Sequence, residues 1–316
     1  MDAPSRIIHS KPMTSADQYL YHYTRGDTAL DCILATGTLR MAPFTAVNDP
    51  WEAKHWVVEA LFNETEEDGQ AGLDFMLRTA SPALKGACKL LCFTRDAPEA
   101  AAPAPPGVYD PGTVWHRGFC RPRMWAQYAS AIGKSDGVCL VFEATLLEAA
   151  ITAALPPAAI FKKDEIKYEN RTTDPRPELT FYFDQIRSLG LDTAIAEHVA
   201  RHWQALFFRK AVDWRDEREF RYLVLNVPTT DFFFPFKDAL KAVVVGPDFP
   251  PYRAAQLIET CTRSFGFKPS QLNWRNGYPR PYLEMSPSKG DVGLAATRAM
   301  MRSISARISS WLKKRT

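Results

Sequence analysis

The sequence predicts a single mixed α+β domain over residues 19–273, with a β-sheet core and flanking helices, and three observations carry that prediction. Short apolar runs of strand length alternate with stretches whose apolar residues recur at helical spacing. Their order shows no regular βα period and no internal repeat, which argues against a doubly wound sheet. The composition, 46% hydrophobic and 24% charged over 316 residues, belongs to a chain that can bury a substantial core without disulfide or metal staples. Residues 1–18 read as an N-terminal extension and 274–316 as a C-terminal one.

Taken in order, "YLYHYT" (Tyr19 to Thr24) is the first strand. In "GDTALDCILATG" Ala29, Ile33 and Leu34 share a helical face, with Asp27 as cap and Gly37 as stop. After the short "TLRMA" segment, "VNDPWEAKHWVVEALF" predicts a helix. Asp49 is its cap, Pro50 suits its first position, and Glu52 falls where a capping box needs an acid. A further helix over about 72–89 leads to the strand "LLCFT". The Pro/Ala-rich segment 96–112 reads as a surface loop. "RPRMWAQYASA" is a helix, "GVCLVF" a strand, 144–155 a helix and "IFKKDEIKY" a strand. Helices over 177–188 and 191–212 precede the strands "REFRYLVL" and "LKAVVVG", and a helix from "PYRAAQ" ends at Gly266. The tail "LAATRAMMRSISARISSWLKKRT" predicts a basic amphipathic helix, fit to dock on the domain or to contact a partner.

Several function classes lose support here. The net charge of +3 announces neither a nucleic acid nor a membrane partner, and no window has the roughly 18 consecutive apolar residues of a membrane span. The start of the chain lacks a secretion-signal core. Six scattered cysteines without a CxxC pair suit a cytoplasmic protein with reduced thiols and no metal site. No GxGxxG, GxxxxGK[ST] or GxSxG occurs, and "EHVARH" lacks the HExxH order, so His198 and His202 read as helix surface.

The stretch "DWRDEREFRYLVL" (Asp213 to Leu225) drives charge into a strand. Alternation puts Phe220, Tyr222 and Val224 on a core face. Glu217, Glu219 and Arg221 fall on the other, where they must line water, a cleft or a partner, because unpaired buried charge is costly. Two acids two residues apart either share a pocket suited to acid–base work or form surface salt bridges. His22, on an apolar strand, is either a satisfied core residue or a ligand anchor. Asn48, Asp49 and Glu52 start a helix whose free N–H groups also suit a ligand. Trp125 and Tyr128 share one helical face.

The order "YHYT…ALDCILATGTLR", "NDPWE", "LLCFT", "MWAQYASAIGKSDGVCLVF", "FFRKAVDWRDEREFRYLVL" resembles the bacterial family catalogued as domain of unknown function 2971, over about Tyr19 to Val245. More distantly, a His in a first strand, a helix and "G-x-L", a strand ending in Phe-Thr and an "E-x-E" entering a late strand are similar to the ADP-ribosyltransferase superfamily. That second resemblance implies a split β-sheet holding NAD in its cleft. It makes His22 the anchor of the NAD ribose, with Tyr23, Thr24 and Arg25 beside it. Glu219 becomes the catalytic acid and Glu217 the acid that orients the acceptor. Tyr128 is the aromatic on nicotinamide, Trp125 and Asn48 complete the cofactor set, and Arg25 or Arg40 meets the pyrophosphate. The implied acceptor is protein or nucleic acid, as for a toxin or phage-defence effector. Two other readings stay open. One is a non-catalytic nucleotide-sensing or interaction domain. The other is a metal-dependent nuclease or phosphohydrolase with Asp49, Glu52, Glu217 and Glu219 as oxygen ligands.

Overall fold

The computed structural model describes residues 18–53, 56, 58–61, 72, 74–99, 114–130, 136–170, 177–227 and 231–285. Most of the N-terminal extension, most of the Pro/Ala segment and the basic C-terminal helix lie outside them. The strands are β1 (Tyr19–Thr24), β2 (Thr38–Pro43), β3 (Glu59–Leu61), β4 (Cys88–Arg95), β5 (Val138–Glu143), β6 (Ile160–Glu165), β7 (Lys167–Tyr168), β8 (Thr180–Tyr182), β9 (Arg209–Lys210), β10 (Glu219–Leu225), β11 (Phe232–Pro235), β12 (Leu240–Val245), β13 (Ser270–Arg275) and β14 (Tyr278–Glu284). Helices interleave with them, so the fold is α+β with a mixed sheet.

Ten of these strands form one sheet, in which β14, β13, β12, β5, β1, β4, β10 and β6 are successive neighbours and β2–β11 joins at β4. Pairing is antiparallel except between β12 and β13. The sheet therefore runs through β14 to Glu284, past the boundary at 273 that the sequence suggested.

The feature that makes a site is the treatment of β4. One edge pairs with β10 along Cys88–Thr94. The other edge is shared. β2 takes its start, through Ala42 opposite Leu90 and Pro43 opposite Lys89, and β1 takes its end, through Leu20 opposite Arg95 and Tyr21 opposite Thr94. Between those two contacts Leu91, Cys92 and Phe93 have no strand partner on that edge among the described residues. β1 and β2 run parallel to each other, joined by a π-helical segment Thr28–Leu34, and part along β4 to leave an opening in the sheet.

Apolar layers close both faces. Leu20, Leu91, Phe93, Leu140, Phe142, Tyr222 and Val224 pack on one face with the helix Ala144–Ala154. Leu90, Leu223 and Leu225 pack on the other with the helix Leu191–Phe207. At about 25 cal/mol per Å² of apolar area, burying such side chains dominates the stability of a domain of this size. The expected alternation of β10 holds: Tyr222 and Val224 face the first core, while Glu219 and Arg221 lie on the second face.

Local departures from the sequence reading have physical reasons. The helix expected after Asp49 is described only over Pro50–Ala53, and Glu59–Leu61 forms a strand against β8. The partner strand β8 in turn interrupts the helix expected over 177–188, which starts at Phe183. Long-range pairing overrides helical spacing in both places. The helix expected over 191–212 ends at Phe207, where β9 begins to pair with β7. His198 is no surface residue: it is buried, its ring stacks on Phe181 at 3.9 Å, and it bonds the Glu178 carbonyl at 2.8 Å.

Candidate functional site

The opening between β1 and β2 leads into a cavity of about 850 Å³, within the roughly 300–1,000 Å³ usual for small-molecule sites. His22, Tyr23 and Thr24 line it from β1, Arg25 from just after that strand, and Asn48 from the segment after β2. Glu217, Glu219 and Tyr128 line it from the far side. His22 pairs across β1 with Leu140 of the first core face, whereas Glu219 pairs with Thr94 on the second face. Only a sheet parted at this point lets both side chains reach one space.

Trp125 does not line it. Its indole is 1% exposed inside the cluster of Tyr21, Tyr23 and Cys139, and its Nε1–H donates to the Phe119 carbonyl at 2.8 Å. Trp125 is a core residue, because the helix Pro122–Tyr128 turns that side toward β1 and β5. Tyr128, one turn on, is half-buried and reaches the acids instead.

The floor of the cavity is a chain of buried charges. Lys210 Nζ lies 2.8 Å from Glu217 Oε2 and 2.7 Å from Glu219 Oε2. Arg221 Nε donates to Glu219 Oε1 at 2.6 Å, and its two terminal nitrogens meet Glu52 at 2.9 and 3.2 Å. The Tyr128 hydroxyl donates to Glu217 Oε1 at 2.7 Å. Arg221 is wholly buried and Glu219 is 4% exposed. The expected charged face of β10 therefore lines the cleft, not water. Arg218 makes the turn possible. Its backbone is left-handed (φ 45°), ending the 3₁₀ segment Val212–Glu217, so that Glu217 and Glu219 both meet Lys210.

These contacts set protonation. Burial alone would raise the Glu219 carboxyl, but Arg221 and Lys210 take it well below the usual carboxylate range. Burial raises Glu52, against the pull of Arg221. Lys210 is pushed up by Glu219, Glu52 and Glu217 despite its burial. Glu219 is thus ionised at neutral pH and fixed in place. Counting Glu52, Glu217 and Glu219 against Lys210 and Arg221 leaves one negative charge in excess when all are ionised.

His22 is fixed as well. Its Nδ1 lies 3.1 Å from the Cys92 carbonyl on the unpaired edge of β4. A carbonyl only accepts, so Nδ1 carries the proton and Nε2 keeps a lone pair. Burial pushes its pKa down, which favours the neutral ring.

Two lining residues escaped the sequence reading. Lys210 gives no spacing signal toward Glu217 and Glu219, since the short strand β9 brings it there. Thr94, 0% exposed, directly opposite Glu219 on β4, has a hydroxyl with no hydrogen-bond partner among the described residues. A buried hydroxyl in that position is open to an ordered water or to a ligand group. "LLCFT" shows the strand but not that its last hydroxyl is orphaned.

The second set of acid ligands gains nothing from this geometry. Glu52, Glu217 and Glu219 are bonded to Lys210 and Arg221, and among the described residues no group of three or more His, Cys, Asp or Glu is arranged to hold a metal. No helix among them is long and apolar enough to cross a membrane.

Comparison with known families agrees with one part of the resemblance. The family model described as "Protein of unknown function (DUF2971)" matches residues 124–222. That segment runs from the helix bearing Tyr128 to the heart of β10 and so contains Lys210, Glu217, Glu219 and Arg221. No curated protein and no solved structure matches the chain.

Proposed function

We propose that the chain binds NAD in the opening between β1 and β2 and transfers its ADP-ribose group to a protein or nucleic acid acceptor. The observation that carries this reading is the convergence of His22 and Glu219, from opposite faces of the sheet, on one cavity of dinucleotide size. His22 Nε2 accepts a hydrogen bond from a ribose hydroxyl, with Thr94 offering a second polar contact. The Tyr128 ring, its hydroxyl tied to Glu217, provides a platform for nicotinamide.

In the transfer, the C1′–N bond breaks and its electron pair leaves on neutral nicotinamide. C1′ carries the positive charge until an acceptor nucleophile adds and gives up a proton. Glu219 is suited to that moment: ionised, oriented by Arg221 and Lys210, and shielded from water, it stabilises charge that exists only in the transition state.

The test is nicotinamide release from NAD by the purified chain, with water or a cell-extract acceptor, alongside calorimetric NAD binding. Glu219→Gln should lower release roughly a hundredfold while leaving binding measurable, and His22→Ala should weaken binding. Circular dichroism checks that each variant folds. A wild-type chain that neither binds NAD nor releases nicotinamide overturns the proposal.

One observation favours a second reading, a nucleotide-sensing or interaction domain without catalysis: the oxygens of Glu52, Glu217 and Glu219 all have cationic or hydroxyl partners. NAD binding with no release, unchanged in Glu219→Gln, identifies it.

A further inference from the structure

Part of the cavity's lining, its outer end, comes from β2 and the edge strand β11. Phe233 lies directly opposite Arg40 in this antiparallel pair, so the two side chains stand on the same face as neighbours about 5 Å apart at Cβ. Both line the cavity. On the opposite face Phe232 and Phe234 are buried in the core with Leu39 and Met41. β11 thus commits every other phenylalanine to packing and leaves Phe233 57% exposed. Among the described residues it is the one large, exposed apolar side chain that lines this cavity.

The Arg40 guanidinium is also largely exposed and meets Asp231 only at 3.7 Å, a loose surface pair of little energetic weight. An aromatic face beside an available guanidinium, both on rigid strands, is a complementary pair for a planar base joined to a phosphate. Bases stack on aromatic rings, and guanidinium forks match phosphate oxygens. At the opposite end, the floor offers carboxylates, which repel phosphate.

We infer that the outer end of the cavity takes a purine and its 5′-phosphate, with Phe233 stacked on the base and Arg40 on the phosphate. This assigns an orientation to the dinucleotide and rests on the NAD reading above. The adenylate half lies at β2–β11 and the nicotinamide half points to Tyr128 and Glu219. It also makes AMP a ligand in its own right and a competitor of NAD.

The assignment is tested by titrating AMP, adenosine, nicotinamide mononucleotide and NAD into the full chain and its surface variants. Phe233→Ala should weaken AMP and NAD about tenfold, Phe233→Trp should restore them, and nicotinamide mononucleotide should be unaffected by either. Arg40→Gln should weaken AMP but leave adenosine unchanged. Because Phe233 and Arg40 are exposed, neither change threatens the fold. Wild-type affinity for AMP and NAD in Phe233→Ala overturns the orientation while leaving NAD binding intact. So does equal weakening of nicotinamide mononucleotide and AMP. A wild-type chain that binds none of the four overturns the NAD reading and this assignment together.

Discussion

The two ends of the cavity are built in opposite ways. At the floor, Glu52, Arg221, Glu219, Lys210 and Glu217 are buried, and each is bonded to at least one other. At the outer end Arg40 and Phe233 stand exposed, and Arg40 meets Asp231 at 3.7 Å. The floor is expensive to disturb and already organised; the outer end is cheap to change. A site that must hold charge in one orientation, yet admit and release a large ligand, divides its labour in this manner.

The largest effect should follow from breaking the floor. Arg221→Met leaves Glu219 and Glu52 buried without their shared cation, although Lys210 still meets Glu219. Removing one partner of a buried ion pair costs about 3–5 kcal/mol. Urea unfolding should show that loss, against less than about 0.5 kcal/mol for Arg40→Gln at the outer end. Similar midpoints for the two variants would abolish the contrast between floor and outer end.

Acid should expose the same contrast more gently. His22 is lowered by burial, and His198 is lowered to about 4 by burial. The unfolded chain therefore takes up protons below about 6.5 that these folded rings refuse. Their contribution is complete above that pH and is lost as pH falls through the folded values. Glu219, whose folded pKa is depressed, acts in a lower window: its contribution is present above about 4.3 and drains as pH falls further. Glu52, raised by burial, has the opposite sign and opposes the fold once pH rises above its unfolded value. Urea midpoints at pH 7.5, 5.5 and 4 should fall in two stages. No fall between the first two would contradict burial of neutral imidazoles.

The sequence disclosed the parts of this site that depend on local pattern and hid those that depend on long-range pairing. Alternation in β10 told which residues of "FRYLVL" share a face with Arg221 and which with Tyr222, and "YHYT" marked His22 as a histidine on an apolar strand. The mixed α+β class was legible for the same reason, since strand and helix periods are local. Three things were not legible. Trp125 and Tyr128 share a helical face by spacing, and only tertiary packing sends one to the core and the other to Glu217. Lys210 reaches the acids because β9 pairs with β7, a contact of two residues with no periodic trace. Phe233 lies in a strand of four residues, too short for its alternation to declare itself beforehand.

A smaller effect than that of Arg221→Met should come from Thr94, which belongs to the floor by position. Its neighbours on the same face, Cys92, Glu219 and Arg221, all have partners, while its hydroxyl, 0% exposed, has none among the described residues. A buried hydroxyl without a partner costs about 1–3 kcal/mol of desolvation. Thr94→Val keeps the β-branched shape that suits a strand and removes that cost. The ligand-free chain should become more stable by about 1 kcal/mol, read by urea unfolding, while NAD affinity falls because the ligand loses a contact. The two changes must have opposite signs for the hydroxyl to be reserved for a ligand. A variant less stable than wild type would show that the hydroxyl already bonds ordered water in the free protein. Higher stability with unchanged NAD affinity would place the ligand away from β4, on the far wall of the opening.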